Sequence, residues 1–383
     1  MANKEIASVD TPDPWMIAAN GVFYLTFTLA NRIEIWESPM MEDFFNARKS
    51  VVWKPEHGSH WAADIWAPEL HWLAGTWYIY ATASNPGVGN RGHRTIVLRS
   101  GNEDPMEASA WEFLGPVKGM PEQFSIDATV FSPNGQDLYL CWSGWPPEDY
   151  SDSQQNLYVS QMVSPEEVVD HNIMPPACIS CADQPWERFN DNKRGINEGP
   201  TWLNLPNGAF TGIVYSGNAS FHSEYAVGLL ALVRPDADPL DPKSWSKRPQ
   251  PLLYNEQARP GPYAPGHCSF LLSPQPGDNR VFCIYHGTAN WGEGFRNRKG
   301  RVMVLDPADF GPHARPVCCS HGAYGQPPPG NQYPGGGPSG QPGGSGQGQG
   351  QDTLASIGQK FEQYAGKAPA PVQKALDRFR KFL

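Results

Sequence analysis

One short pattern recurs five times along the chain and limits its fold more than any other feature. A turn leads into an aromatic-rich run that ends on a polar residue, at residues 21–28 (GVFYLTFT), 75–82 (GTWYIYAT), 135–143 (GQDLYLCWS), 208–216 (GAFTGIVYS) and 278–286 (DNRVFCIYH). Asn-Gly pairs precede three of these runs, at Asn20-Gly21, Asn134-Gly135 and Asn207-Gly208. Both residues of such a pair reach positive φ cheaply, which makes Asn-Gly between apolar runs a hairpin signal. A third strand follows in every unit, at residues 32–36, 94–98, 156–160, 225–230 and 301–305, and a weaker fourth at 50–53, 111–114, 177–180, 250–253 and 315–318. Four strands repeated five times predict an all-β, five-bladed β-propeller over residues 10–322. A two-sheet sandwich would account for the strands but not for the repeat.

Composition agrees with this reading. Gly and Pro number 39 each, which suits many short strands joined by turns and disfavours a helical bundle. The formal charge of −10 disfavours a nucleic-acid partner. The longest uncharged apolar run, residues 227–233, is far shorter than the ~20 residues that cross a bilayer as a helix. Residues 1–5 (MANKE) show no apolar signal-peptide core, so the expected location is cytoplasmic, or secreted if the sequence derives from a truncated gene prediction. Seven cysteines are scattered, mostly in strand-like runs, where a thiol acts as a small hydrophobe. Cys178 and Cys181 form a CxxC with no second pair at zinc spacing, so it too is read as structural.

Residues 323–351 carry no charge and consist almost wholly of Gly, Pro, Gln and Ser, the composition of a disordered linker. Residues 352–383 place Leu354, Ile357, Phe361 and Tyr364 at helical spacing, break at Pro369 and Pro371, and resume at Val372. With six Lys/Arg against three Asp/Glu, this segment is expected to form a short basic amphipathic helical tail, its partner unknown.

The strand before each hairpin should be innermost, and there polar residues interrupt the core pattern. They are Asp13, Asp64 with Glu69, Asp127, Glu198 and His267; the sequence Asp13, Asp64, Asp127, Glu198, His267 steps by 51, 63, 71 and 69 residues, the blade period. Burying isolated carboxylates costs several kcal/mol, so carboxylates converging on one axis imply a wet, working site. Glycoside hydrolysis needs two carboxyls in different states, one protonated to serve the departing oxygen and one ionised to activate water or attack. A third carboxylate nearby raises its neighbour's pKa by like-charge repulsion.

The motifs that hold these residues, Asp-Pro-Trp at 13–15, Ile-Trp-Ala-Pro-Glu at 65–69, Ser-Ile-Asp at 125–127, Asn-Glu-Gly-Pro at 197–200 and Gly-His-Cys-Ser-Phe at 266–270, resemble those of the family 43 glycoside hydrolases in order and spacing. The run Asn-Arg-Ile-Glu-Ile at 31–35 is most similar to the exo-acting α-L-arabinofuranosidase branch. That resemblance implies inverting hydrolysis of arabinose-containing oligo- or polysaccharides. Asp13 would be the general base, Glu198 the general acid, and Asp127 the residue that tunes and orients the acid. It also implies Trp66 as an aromatic wall for the sugar, Trp15 and Arg301 as further substrate contacts, and His267 as the ligand of an axial hydrated ion such as calcium, no cofactor being needed for the chemistry. A β-xylosidase or endo-arabinanase would keep the three carboxylates, whereas a non-catalytic carbohydrate-binding propeller would not need them.

Overall fold

The computed structural model describes residues 3–320 apart from 57, 274 and 276; the predicted linker and helical tail lie outside the described residues. The described residues are all-β, strands joined by turns and single-turn 3-10 helices. Trp15–Ala19, Val22–Thr26, Ile33–Ser38 and Arg48–Trp53 pair in that order as an antiparallel sheet, and Ala63–Leu73, Thr76–Ser84, Arg94–Ser100 and Trp111–Pro116 form the next. Ser125–Phe131, Tyr139–Gly144, Gln154–Ser164 and Ala177–Ser180 repeat the pattern, as do Arg194–Asn204, Thr211–Gly217 and Ala226–Leu232 with Trp245–Lys247 and Leu253–Tyr254 at their edge. These last two groups are joined by a short parallel pairing of Gln154 and Gln155 with Gly195 and Ile196.

The final sheet corrects the strand assignment made from sequence. Tyr263–Leu272, Val281–Thr288 and Lys299–Leu305 take their outer strand from the beginning of the chain, with Lys4 opposite Val302 and Glu5 opposite Arg301. Val317–Cys318, expected in that place, instead runs parallel to Leu253–Tyr254. The edge is already filled by residues 4–5, and the Ile6 N–H continues the ladder to the Gly300 carbonyl. The Arg301 guanidinium clamps this strand, donating to the Asn3 carbonyl and, at 2.7 Å, to the Glu5 carboxylate.

First strands of successive sheets pack on one another in a cycle: Trp15–Ala19 on Ala63–Leu73, that on Ser125–Phe131, that on Arg194–Asn204, that on Tyr263–Leu272, and that back on Trp15–Ala19. Each junction encloses its own apolar layer. Ile79, Ile96 and Leu98 meet Tyr24 and Ile35; Val214 and Val227 meet Cys283, Tyr285 and Met303; Leu25 and Phe27 meet Ile284 and Val302. Burial of each such side chain contributes about 1.5–3 kcal/mol. Four cysteines, 141, 268, 283 and 319, are buried in the interior, as their strand-like surroundings suggested.

The first strands are also where the ladders break. Register shifts fall at 63/66, 126/129, 198/201 and 266/269, and at them Asp64, Asp127, Gly199 and His267 have φ of 51°, 55°, 54° and 48°. Asp13, just ahead of Trp15–Ala19, has φ 54°. Such bulges add a residue, bend the strand and re-aim a side chain. Asp tolerates left-handed φ better than most residues, while His267 at 48° stores strain of about 1–2 kcal/mol.

Arg301→Gln is expected to lower the free energy of unfolding by about 1.5–3 kcal/mol, the usual worth of hydrogen bonds to a charged group. Urea titration checks this, and an unchanged midpoint would show that the N-terminal strand is held by its backbone alone.

Candidate active site

The polar residue that ends each aromatic run reaches across to the bulge of the following sheet. Thr28 Oγ1 accepts from the Ala67 N–H at 2.7 Å, Thr82 Oγ1 from the Asp127 N–H at 3.2 Å and Ser216 Oγ from the His267 N–H at 2.8 Å. Ser143 Oγ donates to the Asn197 carbonyl at 2.8 Å, and His286 Nδ1 accepts from the Asp13 N–H at 3.1 Å, closing the circuit. The repeat therefore has a structural purpose: its polar ends fix the backbone of the residues that face the axis.

Asp13, Asp127, Glu198 and His267 come together there. His267 Nδ1 lies 3.3 Å from Asp13 Oδ1 and 3.9 Å from Asp127 Oδ2, with the side chains of all three about nine-tenths buried. Asp13 Oδ2 also accepts from Thr28 Oγ1 at 2.6 Å, and Arg298 Nη1 stands 3.9 Å from its Oδ1. Asp127 Oδ2 accepts from the Gly199 N–H at 3.1 Å, tying it to the strand that carries Glu198. Glu198 Oε1 accepts from the Tyr225 hydroxyl at 2.9 Å, and the Tyr225 ring stacks on His286 with centroids 5.8 Å apart. Gly266 makes room for that tyrosine, since a Cβ there would lie 2.0 Å from its ring.

The carboxyls are driven apart electrostatically. Burial would raise Asp13, but the His267 imidazolium, its hydrogen bond, Arg298 and His286 together hold this carboxyl far below the ordinary carboxylate range. Burial first, and then the Asp127 charge, push Glu198 up to about 8 against the Tyr225 hydrogen bond and His267. Asp127 is raised to about 6 by burial, with His267 opposing and Asp13 adding to the rise. Burial favours neutral His267, yet the Asp13 and Asp127 carboxylates lift it to about 10, whereas His286, buried beside Arg298, falls to about 3 and stays neutral. At neutral pH Asp13 is ionised and Glu198 protonated.

Residues 3–313 match the glycosyl hydrolases family 43 profile. The chain belongs to family 43 of the glycoside hydrolases. It is 32% identical over 269 residues to an extracellular exo-α-(1→5)-L-arabinofuranosidase of Streptomyces chartreusis, covering 70% of this chain and 76% of that one. It is 31% identical to α-L-arabinofuranosidase 43 of Humicola insolens, over 78% of this chain and 60% of that protein. Among solved structures it superposes on α-L-arabinofuranosidase from Lactobacillus brevis with a TM-score of 0.68 and 28% identity, covering 77% of this chain and 90% of that one.

In this glycoside hydrolase the remaining sequence candidates separate. Trp66 stacks on His93 at 4.4 Å and packs with Phe124, Ile126 and Trp145, an aromatic wall beside Asp64, whose Oδ2 accepts from Ser84 Oγ and faces His93 Nε2 at 3.4 Å. Trp15 is not brought to the cluster: its indole N–H donates to the Leu70 carbonyl and its ring lies against His71 in the layer between the first two sheets. Arg301 is spent on the N-terminal strand, and Arg298 is the arginine that reaches Asp13. Glu69 pairs with His71 Nε2 at 2.9 Å and is buried.

For the metal role that the resemblance implied, His267 offers one ring nitrogen. Its Nδ1 is turned to Asp13 and Asp127, so only Nε2 could face an ion, and calcium prefers oxygen donors. Among the described residues no three His, Cys, Asp or Glu side chains are grouped as metal ligands. Arg298, His286, Tyr225 and Thr28 were not singled out as site residues from sequence, although Thr28 and His286 are two of the polar ends of the repeat.

Glu198→Gln is expected to stabilise the protein at neutral and mildly alkaline pH. A carboxyl whose ordinary value is 4.5 stands at about 8 when folded, so folding requires proton uptake throughout that interval and stability is lost as pH rises through it. The amide removes this dependence. Thermal midpoints of the two proteins should converge near pH 4 and diverge toward about pH 8; a constant difference would contradict the raised Glu198.

Proposed function

We propose that the chain hydrolyses α-L-arabinofuranosyl linkages in arabinose-containing oligo- or polysaccharides with inversion, on a five-bladed propeller whose blades are the sheets described above. Ionised Asp13 acts as general base toward water, protonated Glu198 as general acid toward the departing oxygen, and Asp127 keeps Glu198 protonated while ordering its strand through Gly199. Trp66 with Asp64 supplies a ring face and a hydroxyl acceptor to the sugar. The observation that carries this reading is the different company of two carboxyls at one axis, Asp13 beside His267 and Arg298, Glu198 on the Tyr225 hydroxyl with Asp127 tied to the next residue of its strand.

The arabinofuranosidase names of the relatives support the choice of sugar, and the word extracellular in the name of the Streptomyces protein favours a secreted location over a cytoplasmic one. No helix among the described residues is long and apolar enough to cross a membrane. His267 serves as the cation that keeps Asp13 ionised.

An inverting enzyme seats a water between base and sugar, so its two carboxyls stand roughly 6.5–9.5 Å apart, against about 5–5.5 Å in a retaining one. Proton NMR of the first product from an α-linked arabinofuranoside is expected to show the β-anomer; initial α-product would overturn the mechanism. Glu198→Gln should lose roughly 100-fold or more in turnover on natural linkages, where the leaving oxygen needs a proton, and far less on activated aryl glycosides. Asp13→Asn should lose activity on both.

A further inference from the structure

Behind Glu198 lies a group of residues that the reaction does not use. Cys178 and Cys181 Sγ atoms are 3.6 Å apart, both thiols are free, and Cys181 is exposed. Between and beside them, the Ser180 hydroxyl donates at 2.6 Å to Asn197 Oδ1, and the Cys181 carbonyl accepts from Lys247 Nζ. The same ammonium donates to Asn197 Oδ1 at 3.1 Å and to fully buried Glu187 at 2.9 Å. Asn197 is fully buried and directly precedes Glu198 in the chain. Two polar contacts thus run from the CxxC segment to the residue that sets the backbone under the acid.

We propose that Cys178 and Cys181 are a reversible thiol–disulfide site whose closure shifts Asn197 and, through it, Glu198. Bridging draws the sulfurs from 3.6 Å to about 2.05 Å, which moves the segment that presents the Ser180 hydroxyl and the Cys181 carbonyl. Its substrate class is a small-molecule disulfide, RSSR. The Cys181 thiolate attacks one sulfur of RSSR, forming a mixed disulfide and expelling one thiolate; the Cys178 thiol then gives up its proton and attacks the Cys181 sulfur, expelling the second. Two protein thiols are oxidised to one disulfide, and RSSR is reduced to two RSH. Cys181 is suited to the first attack: the hydrogen bond from Cys178, with help from Lys247 and against burial, brings it down to about 7, while Cys178 is raised. The remaining buried thiols, such as Cys141 and Cys283, lack this access.

The effect on turnover rests on the proposed role of Glu198, whereas bridge formation and strand movement do not. The test treats the reduced full-length chain with oxidised glutathione, alkylates it and maps its peptides, then follows amide hydrogen exchange over residues 194–204. The peptide spanning 178–181 is expected to be lighter by two hydrogens and unalkylated, and Cys178→Ser should trap glutathione on Cys181. Free, alkylated cysteines after oxidation would overturn the proposal. Exchange around Asn197 should change in the oxidised wild type and not in a Cys178→Ser, Cys181→Ser double variant. Turnover on a natural linkage should fall by about tenfold and return with reductant, the scale expected for misplacing a catalytic group by a fraction of an ångström. A bridge that leaves both exchange and turnover unchanged would overturn the coupling. A bridge that changes exchange, in a chain that hydrolyses no arabinoside in either state, would leave the redox site standing and count against the Glu198 assignment.

Discussion

The His267 imidazolium between Asp13 and Asp127 is the interaction on which the site depends. A buried cation without partners would lose its proton, and two buried carboxylates without a cation would take one up. Together they settle the charge: the histidine stays protonated and Asp13 ionised, while burial, with like-charge repulsion added, raises Asp127 to about 6 and Glu198 to about 8. The ion pair holds the low carboxyl, while burial and the Asp127 charge hold the high one. Burial pushes both carboxyls upward, so it favours the protonated Glu198 but only the neighbouring cations can hold Asp13 low.

The fold provides the position of this ion pair at some cost to itself. His267, Asp13 and Asp127 all sit in left-handed backbone, and such strain persists only where the surroundings over-determine it. The surroundings here are the hydrogen bonds from the polar ends of the aromatic runs, each joining one sheet to the next. Closure of the last sheet by Lys4–Glu5, with Arg301 clamping that strand, keeps the cycle from opening where its two ends meet. Stability and site geometry are therefore coupled through the polar ends of the same aromatic runs.

Much of this was legible in the sequence, for a physical reason: aromatic strands punctuated by turns repeat visibly, and a carboxylate in an innermost strand has no packing role to hide behind. Asp13, Asp127, Glu198 and His267 were found that way, and the structure brings them to one axis. The bulges that aim them were not visible, because one extra residue in a ladder leaves no trace in composition. Arg298 and Arg301 are three residues apart, and only the pairing of Glu5 with Arg301 shows which guanidinium is already occupied. The family resemblance implied Trp15 as a substrate contact, yet its indole N–H is turned into the sheet junction. Lys4–Glu5 is too short and too charged to read as a strand; its place comes from long-range pairing.

Asp13 and Glu198 hold opposite protonation states in the same protein at the same pH. Infrared difference spectra in the carboxyl region, wild type minus Glu198→Gln and wild type minus Asp13→Asn, measured from about pH 5 to 9, read those states directly. A protonated-carboxyl band assigned to Glu198 is expected to persist through neutrality and titrate near 8, with only an ionised band for Asp13 throughout. A Glu198 that is already ionised at neutral pH, or an Asp13 that protonates within that range, would contradict those states.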